Sequence, residues 1–321
     1  MRSRGLALAC CLVGCARPAP VAHQEAAMTS SPTMKLPTGA WQRDWIQRRG
    51  GAREHGVTVR YVQTPSVFAD LRIAADRPAL PGAASLADLS DGELAALAAQ
   101  NGFAGVTTID GASATWHHEI DYQPAGGGVD RGRIEPAGPG KMLEHGLDDS
   151  YVESWSLVEP DTGPYLAVRI ARGGGADEQG AATRDGDPAG TGGGAGDEAG
   201  RGVDQLLAVA GGRFLYARAR SRRGPQPVGD SLRDAIARSH ATRETILAYL
   251  DCEISYGTVR GWQIERSTLP WREGKRLGLI DQIRIDAGGA LGPRAAADRE
   301  IWSFPVNTFP VAELRALFAT R

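Results

Sequence analysis

The densest chemistry in this sequence is one run, Trp116-His117-His118-Glu119-Ile120-Asp121-Tyr122. Successive side chains of a strand point to opposite faces. His117, Glu119 and Asp121 are therefore expected on one face, and Trp116, His118, Ile120 and Tyr122 on the other. A histidine with two carboxylates is a donor set that ligates a divalent cation or supplies an acid and a base. Glu144, His145 and Glu153 are further donors, although no spacing ties them to the row. The plain alternative is a solvated outer face, where charged side chains usually lie. Ser267 is a candidate nucleophile, but a serine needs a base and no histidine lies near it in sequence. No GxSxG, HExxH, P-loop or GxGxxG fingerprint stands in a strand–helix context, so no cofactor is implied.

The elements that position this row come in two copies. One constant offset carries Phe68 and Arg72 onto Phe214 and Arg218. The same offset carries Ser85, Leu86 and Asp88 onto Ser231, Leu232 and Asp234, and Trp116 and Glu119 onto Trp262 and Glu265. Gly111 falls on Gly257, and with one residue of slip Glu153-Ser154-Trp155-Ser156 meets Glu300-Ile301-Trp302-Ser303. An offset that keeps tryptophans in register marks an internal duplication. Matched residues read as scaffold: the tryptophans as core, Gly111 and Gly257 as turns. If they face inward, Arg72 with Glu119 and Arg218 with Glu265 make a buried ion pair in each copy, which fixes geometry more than it stabilises. Function is expected where the copies differ. His117, His118 and Asp121 become Gln263, Ile264 and Ser267, which favours the first copy as bearer of a polar site. The candidate ligand-binding residues are Arg72, His117, Glu119, Asp121, Glu153, Arg218 and Glu265.

Most segments between these residues read as strands. Gly56–Val62, Val67–Ile73, Gly105–Ile109, Ala114–Tyr122, Tyr151–Val158 and Tyr165–Arg172 are rich in β-branched, aromatic or alternating residues. Asp110-Gly111 is a hairpin turn. Ser90-Asp91-Gly92-Glu93 is a capping box opening a helix that Asn101-Gly102 closes. Further helices are expected over residues 231–240, continuing through 242–250, and over 311–320. The fold class is mainly β: a tandem of antiparallel barrels, each with a helix insertion.

The chain has 321 residues, a net charge of −2 and no basic stripe, so nucleic acid is not an expected partner. Residues 1–15 read as a signal peptide: Arg2 and Arg4, an apolar run too short to span a bilayer, then Leu12-Val13-Gly14-Cys15, which resembles a bacterial lipobox. Lipidation at Cys15 places the protein in the cell envelope on a membrane anchor; a start at Met28 or Met34 would leave it cytoplasmic. Residues 16–36 read as a tether. Residues 173–201 are Gly-, Asp- and Ala-rich with almost no large apolar side chain, and read as a disordered linker between copies at 37–172 and 202–321. Cys252 is expected as a small buried hydrophobe.

Gly39-Ala40-Trp41 is similar to the G-x-W start of lipocalins and their calycin relatives. With Gly102-Phe103-Ala104-Gly105, Trp116, Glu119-Ile120-Asp121, Asp130, Gly132, Glu144, Gly146, Tyr151, Glu153 and Trp155, the two-unit layout resembles a fungal family of tandem calycin-like β-barrel proteins, named for binding a casein-kinase-one homologue. The resemblance covers roughly residues 39–170 well and the second unit loosely. It implies a binding or interaction fold without established chemistry. The secretion signal and the glycine-rich linker are departures from that family. The leading expectation is a small-molecule binding protein for an apolar or amphipathic ligand. The alternatives are a barrel enzyme using His117, Glu119 and Asp121, and an interaction module with filled barrels.

Overall fold

The computed structural model describes residues 35–124, 128–158, 163–172, 202–238, 240–295 and 300–319. The signal peptide, Cys15, most of the tether and the linker lie outside the described residues. In the first half, nine strands run antiparallel in chain order: β1 (Gly39–Arg48), β2 (Arg53–Glu54), β3 (Val57–Gln63), β4 (Phe68–Ala74), β5 (Asn101–Asp110), β6 (Ser113–Asp121), β7 (Asp130–Pro136), β8 (Lys141–Gly146) and β9 (Tyr151–Leu157). β2 is a two-residue spur on β1. β9 returns to β1, from Trp41 opposite Leu157 to Arg48 opposite Tyr151, and the remaining eight strands close into a barrel. An eight-stranded barrel has an interior that side chains fill or that holds one small ligand. Helix α1 (Asp91–Leu97) enters between β4 and β5, and Ser90 and Glu93 cap it reciprocally as the sequence predicts.

The second half comprises β10 (Tyr165–Arg172), β11 (Val203–Ala210), β12 (Arg213–Arg218), α2 (Leu232–Arg238), α3 (Arg243–Leu250), β13 (Glu253–Thr258), β14 (Gln263–Ser267), β15 (Ile283–Ile285), β16 (Leu291–Pro293), β17 (Glu300–Asn307) and α4 (Val311–Ala319). Six of the strands form one sheet, ordered β14-β13-β12-β11-β10-β17, and β15 and β16 form a separate ribbon. β17 pairs with β10 as β9 pairs with β1. Tyr165–Arg172, which the sequence assigns to the first copy, is therefore the opening strand of the second sheet.

The glycine match also shifts. Phe68 lies opposite Gly105 and Phe214 opposite Gly257, so Gly257 is the structural counterpart of Gly105 rather than of Gly111. Both glycines sit at a β-bulge where the partner backbone crowds in. A Cβ would lie 1.9 Å from the His117 carbonyl oxygen at Gly105 and 2.1 Å from that of Gln263 at Gly257. The β13–β14 hairpin is simply shorter than β5–β6.

Three apolar clusters hold the molecule together. One fills the first barrel, with Trp41, Phe68, Phe103, Trp116 and Trp155. A second fills the other half, with Phe214, Trp262, Ile170 and Ile264. There α4 packs inward: the Trp262 indole donates to the Leu317 carbonyl (2.9 Å) and its ring meets Phe318. The third joins the outer faces of the two sheets, with Val62, Leu71, Ile120, Leu206, Leu215 and Ile254. The two halves thus share a core instead of moving as separate units. Gln100 donates across the seam to the Thr268 carbonyl (2.9 Å), and Arg77 pairs with Glu273 (2.6 Å).

Candidate functional site in the first barrel

Several inward-facing rows of the first barrel are apolar toward one end and charged toward the other. On β1, Trp41 is followed two residues on by Arg43; on β4, Phe68 by Asp70 and Arg72; on β8, Met142 by Glu144. On the descending strands the order reverses: Glu153 precedes Trp155, and Asp130 precedes Ile134. Because neighbours are antiparallel, these charged ends meet in one layer above the aromatic residues.

β6 contributes through its bulge. Ala104 lies opposite Ile120 but Gly105 lies opposite His118, so the strand carries an extra residue, Glu119. Up to the bulge, Trp116 and His118 face inward. Past it, Ile120 packs on the outer core and Asp121 returns inside. The expected row of His117, Glu119 and Asp121 does not form. His117 is exposed and meets Thr108 (2.9 Å), while Glu119 pairs outward with Arg169 of β10. Among the described residues no three His, Cys, Asp or Glu stand in metal-ligating geometry.

His118 shares the inward face with Trp116, as period two places it; the bulge then brings Asp121 to that face and sends Ile120 away from it. The His118 Nδ1 donates to Asp121 (2.7 Å) and its Nε2 to Asp130 (3.0 Å), and its ring stacks on Phe103 at 4.0 Å. Burial alone would lower its pKa. The hydrogen bonds and charges of Asp121 and Asp130 outweigh that and raise it to about 9, so the imidazolium is the resting form.

The other charges are paired or strained. Arg72 donates to Asp70 (2.8 Å) and lies over the Phe103 ring (5.0 Å). Burial raises the pKa of Asp70, and Arg72 opposes that rise. Arg43 pairs with Glu153, both almost fully buried. Glu144 lies directly across the ladder from Glu153 and accepts from the Tyr151 hydroxyl (2.8 Å). Burial, and then the charge of Glu153, push the Glu144 carboxyl up to about 8. Glu153 Oε2 and Trp155 Nε1 are buried and have no hydrogen-bond partner among the described residues.

Between the aromatic and charged layers lies a cavity of about 20 Å³, lined by Tyr61, Asp70, Arg72, Phe103, Trp116, Asp130, Met142, Glu144 and Trp155. That is room for one water molecule. Of the polar residues singled out from sequence, Arg72 and Glu144 line this cavity, and Glu153 and Asp121 belong to the charged layer. Arg218 and Glu265 lie in the second half, with Asp251 (2.7 Å) and Arg213 (2.7 Å). Neither Arg72 with Glu119 nor Arg218 with Glu265 forms a pair, because Glu119 and its counterpart leave the interior at the bulge. Ser267 Oγ is buried against Ser255 (2.9 Å) and accepts from the Leu269 amide. The sequence reading missed Arg43, Asp70 and Asp130 and used His118 only as a difference between the copies; glycine within the β5 pattern was the signal for the bulge.

No family model and no curated protein matches this chain. Among solved structures, a lipocalin-like protein from Bacteroides uniformis is similar at 15% identity and a TM-score of 0.25, over 37% of this chain and 96% of that one. The closed register of β1 through β9, rather than this likeness, establishes the barrel.

Proposed function

We propose that this is a small-molecule binding protein whose first barrel takes the ligand and whose second half is a filled support. One comparison within the chain carries the reading. At positions equivalent by strand register, Arg43, Asp70 and His118 are replaced by Ile170, Tyr216 and Ile264. The second half folds around these apolar and aromatic side chains as core. The frame therefore does not require the charges, and buried charges kept in one copy are costly unless they serve a ligand. The amphipathic lining supports a ligand with an apolar stem along Trp116, Met142 and Trp155 and a polar head in the charged layer. The lipobox-like Leu12–Cys15 supports an envelope location on a lipid anchor.

A second reading, an interaction module with filled barrels, is favoured by the small size of the cavity. Native mass spectrometry of the full chain, extracted in mild detergent from a bacterial envelope, separates the two. Ligand binding predicts an adduct of metabolite size that is lost in Met142→Phe, which fills the cavity. A bare chain in both proteins would leave the interaction module standing.

A further inference from the structure

The charged layer of the first barrel holds more acid than base. Its carboxyl groups are Asp70, Asp121, Asp130, Glu144 and Glu153; its cations are Arg43, Arg72 and His118. Each cation is engaged: Arg72 by Asp70, His118 by Asp121 and Asp130, Arg43 by Glu153. Glu144 has the Tyr151 hydroxyl and faces Glu153 across the ladder, where like charges are destabilising. Two buried side-chain atoms on the inward face of β9 have no hydrogen-bond partner among the described residues. The free oxygen of Glu153 is an acceptor, and the indole N–H of Trp155, two residues on and on the same face, is a donor. Trp155 is 2% exposed and lines the cavity.

Building on the ligand-binding reading, we infer that the first barrel takes a short primary amine that also carries an oxygen acceptor. Its ammonium group sits between Glu144 and Glu153, and its oxygen accepts from the Trp155 indole. The walls suit this chemistry: Tyr61, Trp116 and Trp155 line the cavity together with Glu144, and aromatic linings favour ammonium ions. A carboxylate would meet the acidic excess, and an uncharged apolar ligand would leave Glu153 Oε2 and the Trp155 indole N–H without partners. As it stands the cavity has room for one water, so a stem of even a few carbons requires the unbranched Met142 side chain, which lines it, to swing aside.

The exchange balances. In the empty barrel a proton on Glu144 offsets its burial, and the incoming ammonium replaces that proton, which leaves to solvent. The groups facing Glu144 are Arg43 on β1, Tyr61 on β3, Asp70 and Arg72 on β4, Asp130 on β7, and Tyr151 and Glu153 on β9. Since Glu144 titrates at about 8, amine affinity rises about tenfold per pH unit below that value and levels above it.

The test is calorimetric titration of the full chain with 3-amino-1-propanol, propylamine, 1-propanol and propionate at pH 6.5 and 8. We expect 3-amino-1-propanol to bind, propylamine to bind about tenfold more weakly because it has no oxygen to accept from the Trp155 indole N–H, and 1-propanol and propionate not to bind. The amino alcohol should tighten by more than about tenfold between the two pH values and release a proton, read from the dependence of heat on buffer. Glu144→Gln, which mimics the protonated form, should lose amine binding and its pH dependence. Trp155→Phe should make the two amines equal. Binding of propionate or 1-propanol in place of the amines overturns the ligand class and leaves the binding reading intact. Silence from all four, with a bare chain in the mass spectrum, overturns both. Amine binding indifferent to pH and to Glu144→Gln overturns the assigned position.

Discussion

Replacing Glu144 by Gln should change how the stability of the ligand-free protein depends on pH. Glu144 is 8% exposed and titrates at about 8 in the folded chain, against an ordinary 4.5, because burial and then Glu153 disfavour its charge. Between those two pH values the folded state holds a proton that the unfolded state has lost. Stability therefore falls as pH rises through this window and levels off above about 8. The shift corresponds to roughly 5 kcal/mol across the window, at about 1.4 kcal/mol per unit. That is a large part of the total for a typical domain, on the order of 5–15 kcal/mol. Gln cannot titrate and keeps the shape, so the variant should lose this slope: its stability relative to wild type should improve steadily from pH 5 to 8. Urea unfolding followed by tryptophan fluorescence at pH 5, 6.5, 8 and 9 measures the difference. Wild-type and variant curves that run parallel across this range would refute the reasoning, because Glu144 would then be ionised and solvated in the fold.

The remaining predictions concern the frame around that carboxyl. His118→Gln should remove a further component of pH dependence. Its raised pKa stabilises the fold below 6.5, and that contribution is lost as pH rises through about 9; urea titrations of wild type and variant should therefore converge by pH 9. Arg43→Met leaves Glu153 buried without its cation and should cost about 3–5 kcal/mol, while the double variant Arg43→Met, Glu153→Met should recover most of the loss. A double-mutant cycle by urea unfolding reads this, and a single-variant loss under about 1 kcal/mol would place the pair in solvent. Gly105→Ala should destabilise by roughly 3 kcal/mol or more, since its Cβ would meet backbone at 1.9 Å, whereas Gly111→Ala meets open space and pays only for its positive φ; thermal melts of both compare them.

Much of the frame was legible because it is local. Alternation marked the strands, Asp110-Gly111 marked a hairpin, and Ser90 with Glu93 marked a cap that the structure forms as read. The site was harder for a physical reason. Arg43, Asp70, Asp130 and Glu144 sit on four different strands, and only barrel closure brings them together. On β6 a single inserted residue reversed the faces. Period two holds on each side of Glu119 but not across it, so Asp121 faces inward with His118 rather than lying on the His117 face. The glycine at 105, in the middle of an otherwise ordinary strand, carried that information. The strand Tyr165–Arg172 follows the first barrel in sequence, yet it pairs with β11 and β17; adjacency along the chain does not say which sheet edge a strand joins.

The most direct test of the first barrel as the binding site is the indole N–H spectrum of the full chain. The sequence carries seven tryptophans, and the signal of Trp155 is assigned by its loss in Trp155→Phe. On titration with 3-amino-1-propanol the Trp155 signal should move saturably as its unpartnered N–H gains an acceptor. Trp262, already bonded to the Leu317 carbonyl, should stay where it is. A Trp155 signal that stands still while signals of the second half shift, or a spectrum that does not change at all, would contradict the account.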